Sequence, residues 1–241
     1  MARLFAGTSG FSYPEWKGTF YPAKVKTEEM LAFYSGAFPT VEINNSFYRY
    51  PKAETLVQWR EQTPEGFRFA VKAHRRITHD KRLRGVADDV SFLAGRFQEL
   101  GNRLGPVLFQ LPPSVKCDVA LLGNFLRALP PVIGRAMEFR HASWFSDEVY
   151  ALLAEHRTAL CIAEDGDRAA VTVDVGPFGY LRLHRSSYGD EDLRRWAAYV
   201  EARLGKGQDV YAYFTHEEGA PAPQYAQTLN TLVRKASGDA E

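Results

Sequence analysis

Short runs in which apolar and polar residues alternate recur along this chain, and most are followed by a stretch with apolar residues at helical spacing. Period-two alternation marks a strand, and i, i+3, i+4 recurrence marks a helix. On this reading strands are expected at Leu4 to Thr8, Thr40 to Asn44, Phe67 to His74 and Pro106 to Leu111. Four more are expected at Ala136 to Arg140, Thr158 to Ala163, Tyr180 to His184 and Asp209 to Phe214. The intervening helices have recognisable starts and stops. Thr27 can cap one through Met30, Leu31 and Phe33, another ends before Pro64, and Asp88 can cap a third that carries Phe92, Leu93, Phe97 and Leu100. Further helices are expected over about 118–129, after Ser146, over about 190–204 and over about 221–234. The link 166–178 is short and β-branched, so its helix is expected to be missing or replaced. Residues 75–86 are basic without clean periodicity and read as an extended loop.

Eight strands mostly separated by helices, in 241 residues, match a (β/α)8 TIM barrel, whose usual length is about 250 residues. Nothing resembles a linker, so residues 1–241 are expected to form a single domain with an atypical segment after strand six. An open doubly wound sheet is the alternative, but no Gly-rich phosphate-binding turn follows the first strand. Closure also changes the meaning of the polar sides of the strands. In a barrel one side of each strand meets the helices and the other faces the interior. The inward set would be Glu42, Asn44, Lys72, His74, Gln110, Glu138, Arg140, Arg182 and His184, all near C-terminal strand ends, where barrel active sites lie. Buried charge is costly unless paired, so this set is either a functional site or a structural ion-pair network.

Charge and composition narrow the partners. Thirty Lys+Arg against 29 Asp+Glu give a formal charge of +1, which argues against an acidic tail or a general nucleic-acid-binding coat. Any electrostatic attraction must be local. Cys117 and Cys161 lack metal-ligand or redox spacing, which points to a reducing, cytoplasmic setting. No apolar run is long enough for a membrane span, so no membrane partner is expected.

Five strings carry a family resemblance: Gly7 to Pro22 (GTSGFSYPEWKGTFYP), Val41 to Tyr48 (VEINNSFY), Phe67 to Ala73 with Ile77 to His79, Leu108 to Pro113 (LFQLPP) and Glu138 to Phe145 (EFRHASWF). In this order they resemble the YecE-like family known as domain of unknown function 72. The resemblance implies a TIM barrel, a distant likeness to the xylose isomerase and endonuclease IV group of barrels, and no established activity. The family pattern usually ends strand seven with His-Gly and strand eight with Phe-Asn-Asn, whereas this chain has His184-Arg185 and Phe214-Thr215-His216.

Three chemistries suit the inward residues. Glu42 and Glu138 could divide acid and base roles as in glycoside hydrolysis, although Arg140 and Arg182 would hold them ionised. Lys72, His74, Arg140, Arg182, His184 and Arg185 form a cationic set suited to phosphate or carboxylate, unless the arginines simply satisfy Glu138 and Glu42. Lys72 could also act as a Schiff-base nucleophile. Metal binding is the third option: His184, His216, Glu42, Glu138 and Glu164 are suitable ligand types, but no His-Glu-x-x-His pattern is present and the arginines would repel a cation. Among the strand-end aromatics Phe11, Tyr13, Trp16, Phe47, Tyr48, Trp144 and Phe145, the best placed for ligand contact are Tyr48 and Trp144. Basic residues 75, 76, 81, 82 and 84 would suit single-stranded nucleic acid, although a solvated loop explains them equally.

The expectation is an enzyme doing acid–base hydrolysis, lysis or isomerisation on an anionic, phosphorylated small-molecule or nucleotide-like substrate. Its catalytic candidates are Glu42, Lys72, Glu138 and His184. Its binding candidates are Asn44, Tyr48, His74, Gln110, Arg140, Trp144 and Arg182. No cofactor is expected, with a divalent metal as the alternative. The competing readings are a metal-dependent nuclease and a non-catalytic anion-binding barrel.

Overall fold

The alternating runs form eight parallel strands that pair in chain order and close into a barrel, β8 returning to β1. The computed structural model describes residues 1–164, 166, 170–215 and 221–236. The strands are β1 (Leu4–Ser9), β2 (Thr40–Ile43), β3 (Arg68–Lys72), β4 (Leu104–Gln110), β5 (Arg135–Glu138), β6 (Thr158–Ala163), β7 (Gly179–Leu183) and β8 (Val210–Thr215). Around them lie α1 (Met30–Ala37), α2 (Ala53–Gln62), α3 (Ala87–Phe97), α4 (Val119–Ala128), α5 (Asp147–Glu155), α6 (Asp190–Gly205) and α7 (Ala222–Ala236). This is the (β/α)8 barrel architecture expected from the pattern.

The two sides of the strands separate as the alternation requires. Val41, Ile43, Phe69, Val71, Val107, Phe109, Met137, Leu181 and Leu183 join the large core between strands and helices. A smaller core fills the barrel itself: Phe5, Ala70, Leu108, Ala136, Ala159, Cys161, Tyr180, Tyr211 and Tyr213. Branched residues usually fill such an interior. Here rings from β1, β7 and β8 lie in one core with small alanines from β3, β5 and β6, large against small. Phe5 stacks on Tyr211 at 4.8 Å, and Tyr180 packs on Tyr213 at 5.4 Å. The phenols are not wasted in this interior. The Tyr213 hydroxyl bonds Thr40 Oγ1 at 2.8 Å, and the Tyr180 hydroxyl donates to Glu42 Oε1 at 2.9 Å. The Tyr180 phenol thus links the barrel interior to the charged residues through Glu42.

Several local expectations differ from the structure. Thr27 caps no helix: it opens the turn Thr27–Glu29, whose cap position is Lys26, and α1 begins after Glu29 with no side-chain cap bond. Asp88 does not cap α3: it lies in the first turn, and the cap position is Val86, which offers no side-chain acceptor. The start of α3 is instead fixed by Asp89, which holds Lys81 at 2.6 Å and Arg76 at 2.7 Å. Residues 75–86 are likewise not an extended loop. Arg76–Asp80 forms a helical turn, and Ile77, Leu83 and Val86 are buried beneath it. Arg82 and Leu83 both take positive φ, which lets three irregularly spaced apolar residues reach the core without any regular period. Strand boundaries also shift: β4 begins at Leu104, two residues before Pro106, and β3 and β5 end at Lys72 and Glu138, two residues short of His74 and Arg140.

The link after β6 holds no helix among its described residues, as expected. It lies against the sheet: the Leu160 amide donates to the Val175 carbonyl at 3.2 Å. Gly176, at φ 96°, makes this approach possible, because a Cβ there would lie 2.5 Å from the Thr158 carbonyl oxygen. Asp174 then anchors the link to α6 through Arg203, Tyr199 and Lys206.

Candidate functional site

The charged strand ends converge at the C-terminal mouth of the barrel. Glu42 ends β2 but for one residue, Glu138 closes β5, and Arg182 lies one residue from the end of β7. Glu42 and Glu138 are fully buried and Arg182 is 4 % exposed. One guanidinium joins both carboxylates. Arg182 Nε donates to Glu42 Oε1 at 3.0 Å, Nη2 to Glu42 Oε2 at 3.2 Å and Nη1 to Glu138 Oε2 at 2.8 Å. Arg140 Nε donates to the other oxygen, Glu138 Oε1, at 2.8 Å. Glu42 gains further donors in Ser9 Oγ at 2.8 Å, Asn44 Nδ2 at 3.0 Å and the Tyr180 hydroxyl.

These contacts decide the charge state of the acids. Burial alone would push the Glu42 carboxyl up, but the Arg182 guanidinium and the Ser9 and Tyr180 hydrogen bonds overcome it and hold the group at about 2. Glu138 is also held below its ordinary range, burial being outweighed by Arg182 and Arg140. Both are ionised acceptors with their oxygens occupied. Neither is poised as a general acid, which removes the division of roles a glycosidase needs.

Lys72, at the end of β3, differs from the arginines. Its ammonium lies 4.5 Å from the centre of the Phe47 ring, and among the described residues no carboxylate lies within 4 Å of it. Burial, reinforced by the nearby Arg182 charge, lowers its pKa to about 8, against the opposing pull of Glu138 and Glu42. His184 follows β7, and burial with the Arg182 charge lowers it to about 3, so its imidazole is neutral. Its Nε2 is buried and makes no hydrogen bond among the described residues. These two side chains are the groups at the mouth with protonation states near exchange or a ring nitrogen to spare.

The other expected residues divide clearly. Asn44 supports Glu42, and Gln110 is buried beside Glu138 in the β4–β5 register. Tyr48 stands at the rim 71 % exposed, its ring edge-on to Phe47. His74 is committed to loop structure: Nδ1 accepts the Arg76 amide, Nε2 donates to the Tyr48 carbonyl, both at 3.1 Å, and the ring stacks on Tyr50. Trp144 must be corrected. It is 1 % exposed, stacked on Phe139 at 4.6 Å, and its indole N–H donates to the Val115 carbonyl at 2.8 Å. No face of that ring is left for a ligand. Arg185, the departure after β7, turns away to Asp192 at 2.8 Å. His216 lies outside the described residues.

The basic stretch also spends its charge locally. Arg75 pairs with Asp80, Arg76 and Lys81 with Asp89, and Arg84 with Asp118. For a metal, Glu164 is engaged by the Tyr188 hydroxyl at 2.6 Å and by Arg195 at 3.3 Å, and among the described residues no three His, Cys, Asp or Glu side chains converge. Two contributors escaped the sequence reading. Ser9 lies one residue beyond the apolar run Leu4 to Thr8, and β1 extends to include it. Tyr180 shares the parity of Arg182 and His184, a signal that was present but is easily set aside for an aromatic residue. His79 packs edge-on against Phe47 at 4.8 Å, the ring that Lys72 also touches.

Comparison with known proteins follows the same lines. The chain is 34% identical over 156 residues to UPF0759 protein YunF of Bacillus subtilis (strain 168), covering 61% of this chain and 54% of the relative. It is 31% identical over 144 residues to UPF0759 protein YecE of Escherichia coli (strain K12), covering 59% of this chain and 50% of the relative. These matches therefore span about half the length of the curated relatives. A crystal structure of a DUF72 family protein from Thermotoga maritima superposes with a TM-score of 0.85 at 25% identity, covering 96% of this chain and 99% of that one. Residues 5–240 match the family described as Protein of unknown function DUF72, and the chain belongs to that family.

Proposed function

We propose that this protein is an enzyme that binds a small anionic substrate, bearing a phosphate or carboxylate, at the C-terminal mouth of the barrel. Lys72 exchanges protons with it and the neutral His184 imidazole hydrogen-bonds it, while Glu42, Glu138 and Arg182 form a fixed charged floor. The observation that carries this reading is the contrast between saturated and unsaturated charge. Arg182 and the two carboxylates satisfy one another, whereas Lys72 stands beside them, half-buried, with no carboxylate of its own among the described residues. A desolvated cation without a counterion attracts an anion strongly, and an anion there would raise the Lys72 pKa and draw a proton to it. The acid–base work expected of Glu42 and Glu138 thus moves to Lys72, with His184 as a neutral hydrogen-bonding partner.

A thermal-shift screen tests the reading. Phosphorylated and carboxylated small molecules are compared with uncharged counterparts on the wild type and on Lys72→Met. A ligand at a hundred times its Kd stabilises by about 2.7 kcal/mol, an easily measured shift. Anions should raise the melting temperature of the wild type and lose that effect in Lys72→Met. Equal stabilisation by uncharged compounds, or an unchanged anion response in the variant, would contradict it.

A further inference from the structure

We propose that Lys72 is an imine-forming nucleophile, so that the substrate of this mouth is an anion that also carries an aldehyde or ketone carbonyl. The inference rests on the anion-binding reading above and names the substrate class for that site. Its geometric basis is the setting of one amine. Lys72 projects from the end of β3 into the mouth, half-buried, with its ammonium on the Phe47 ring rather than on a carboxylate. Lys81, the other lysine that is not exposed, donates to Asp89 and to the Gly85 carbonyl, and the remaining lysines stand in solvent. Lys72 is therefore the lysine whose ammonium gains least from its surroundings.

That setting favours the neutral amine, the form with a lone pair to attack. With a pKa of about 8, Lys72 is neutral in roughly a quarter of molecules at pH near 7.5, on the order of a hundredfold more often than an ordinary lysine. In the step itself the Nζ lone pair forms a bond to the carbonyl carbon and the carbonyl electron pair moves to oxygen, which takes a proton. Loss of that oxygen as water then leaves the C=N bond, both hydrogens of the water coming in net from the amine. A neutral base is at hand for the proton released: His79 packs on the same Phe47 ring, and burial and the Lys72 charge hold it below the ordinary imidazole range. No oxidant or further reactant is needed.

Reductive trapping tests this on the whole chain. The protein is incubated with glyoxylate, an anionic aldehyde, or with propanal, a neutral one, in the presence of cyanoborohydride, whose hydride reduces the imine to a stable secondary amine. Adducts are then located by peptide mass mapping, with and without inorganic phosphate as competitor. Glyoxylate should label Lys72 on the order of a hundredfold faster than the exposed lysines, phosphate should suppress it, and Lys72→Arg should remove that adduct with its melting temperature retained; if Lys72→Arg is unstable, Lys72→Met serves. Labelling at exposed lysines alone, at equal rates in wild type and Lys72→Arg, overturns the proposal. Phosphate binding without any Lys72 adduct overturns the imine and leaves the anion-binding reading standing. A Lys72 adduct formed equally by propanal and indifferent to phosphate supports the imine and overturns that reading.

Discussion

At the scale of single residues, the mouth sets paired carboxylates and arginines beside Lys72, which has no carboxylate within 4 Å among the described residues. Glu138→Gln leaves Arg182 Nη1 and Arg140 Nε facing a neutral amide, and breaking a buried pair from one side costs about 3–5 kcal/mol, so denaturant unfolding should show a loss of that size. Lys72→Met should act in the opposite direction. The folded pKa lies near 8 against 10.5 for the free side chain, so the folded state pays a charging penalty that is complete below 8 and disappears as pH rises through 10.5. Its removal should stabilise the protein by about 1–3 kcal/mol at neutral pH and by little near pH 10.5. His184 titrates with the same sign. Its folded pKa is about 3 against 6.5, so stability is lost as pH falls from 6.5 toward 3, whereas Glu42, lowered from 4.5 to about 2, adds its own loss only below 4.5. A melting-temperature profile should therefore fall between pH 6.5 and 4.5 more steeply in the wild type than in His184→Gln. Most of this site was legible from parity alone, because period two survives in every strand and assigns each charge to a side. Trp144 was not: its role depends on Phe139 and on the Val115 carbonyl, brought to it from a separate loop.

At the scale of elements, the caps and close approaches make separable predictions. Asp118 accepts the Leu121 amide at 2.9 Å at the start of α4, and Asp118→Ala should cost about 1 kcal/mol. Asp88→Ala, by contrast, removes no cap and should stay within about 0.5 kcal/mol, a comparison that denaturant melts of the two variants resolve. Gly7→Ala would place a Cβ 2.2 Å from the Thr40 carbonyl oxygen, where β1 and β2 approach, and should cost on the order of 1–3 kcal/mol or prevent folding. Strands and long helices were legible because their periodicity extends over several residues. The turn at Arg76–Asp80 was not, because its buried residues Ile77, Leu83 and Val86 follow no period and its positive-φ positions are Arg82 and Leu83, residues that carry no turn signal.

At the scale of the molecule, closure turns local alternation into a site. Outward apolar residues bind the helices, inward rings and alanines fill the lower barrel, and the inward carboxylates and arginines at the strand ends pair with one another. The Tyr180 hydroxyl joins the interior to the charged cluster through Glu42, and the Tyr213 hydroxyl ties β8 to Thr40 at the start of β2. In the function proposed above, the arginine–carboxylate pairing makes that cluster a scaffold, and Lys72 is the group through which it acts. The pKa of Lys72 is therefore the most direct test, measured from the pH dependence of its 13Cε resonance with and without inorganic phosphate. The account predicts a midpoint near 8 that rises when phosphate is present. A midpoint at the ordinary lysine value of about 10.4, unmoved by phosphate, would contradict it.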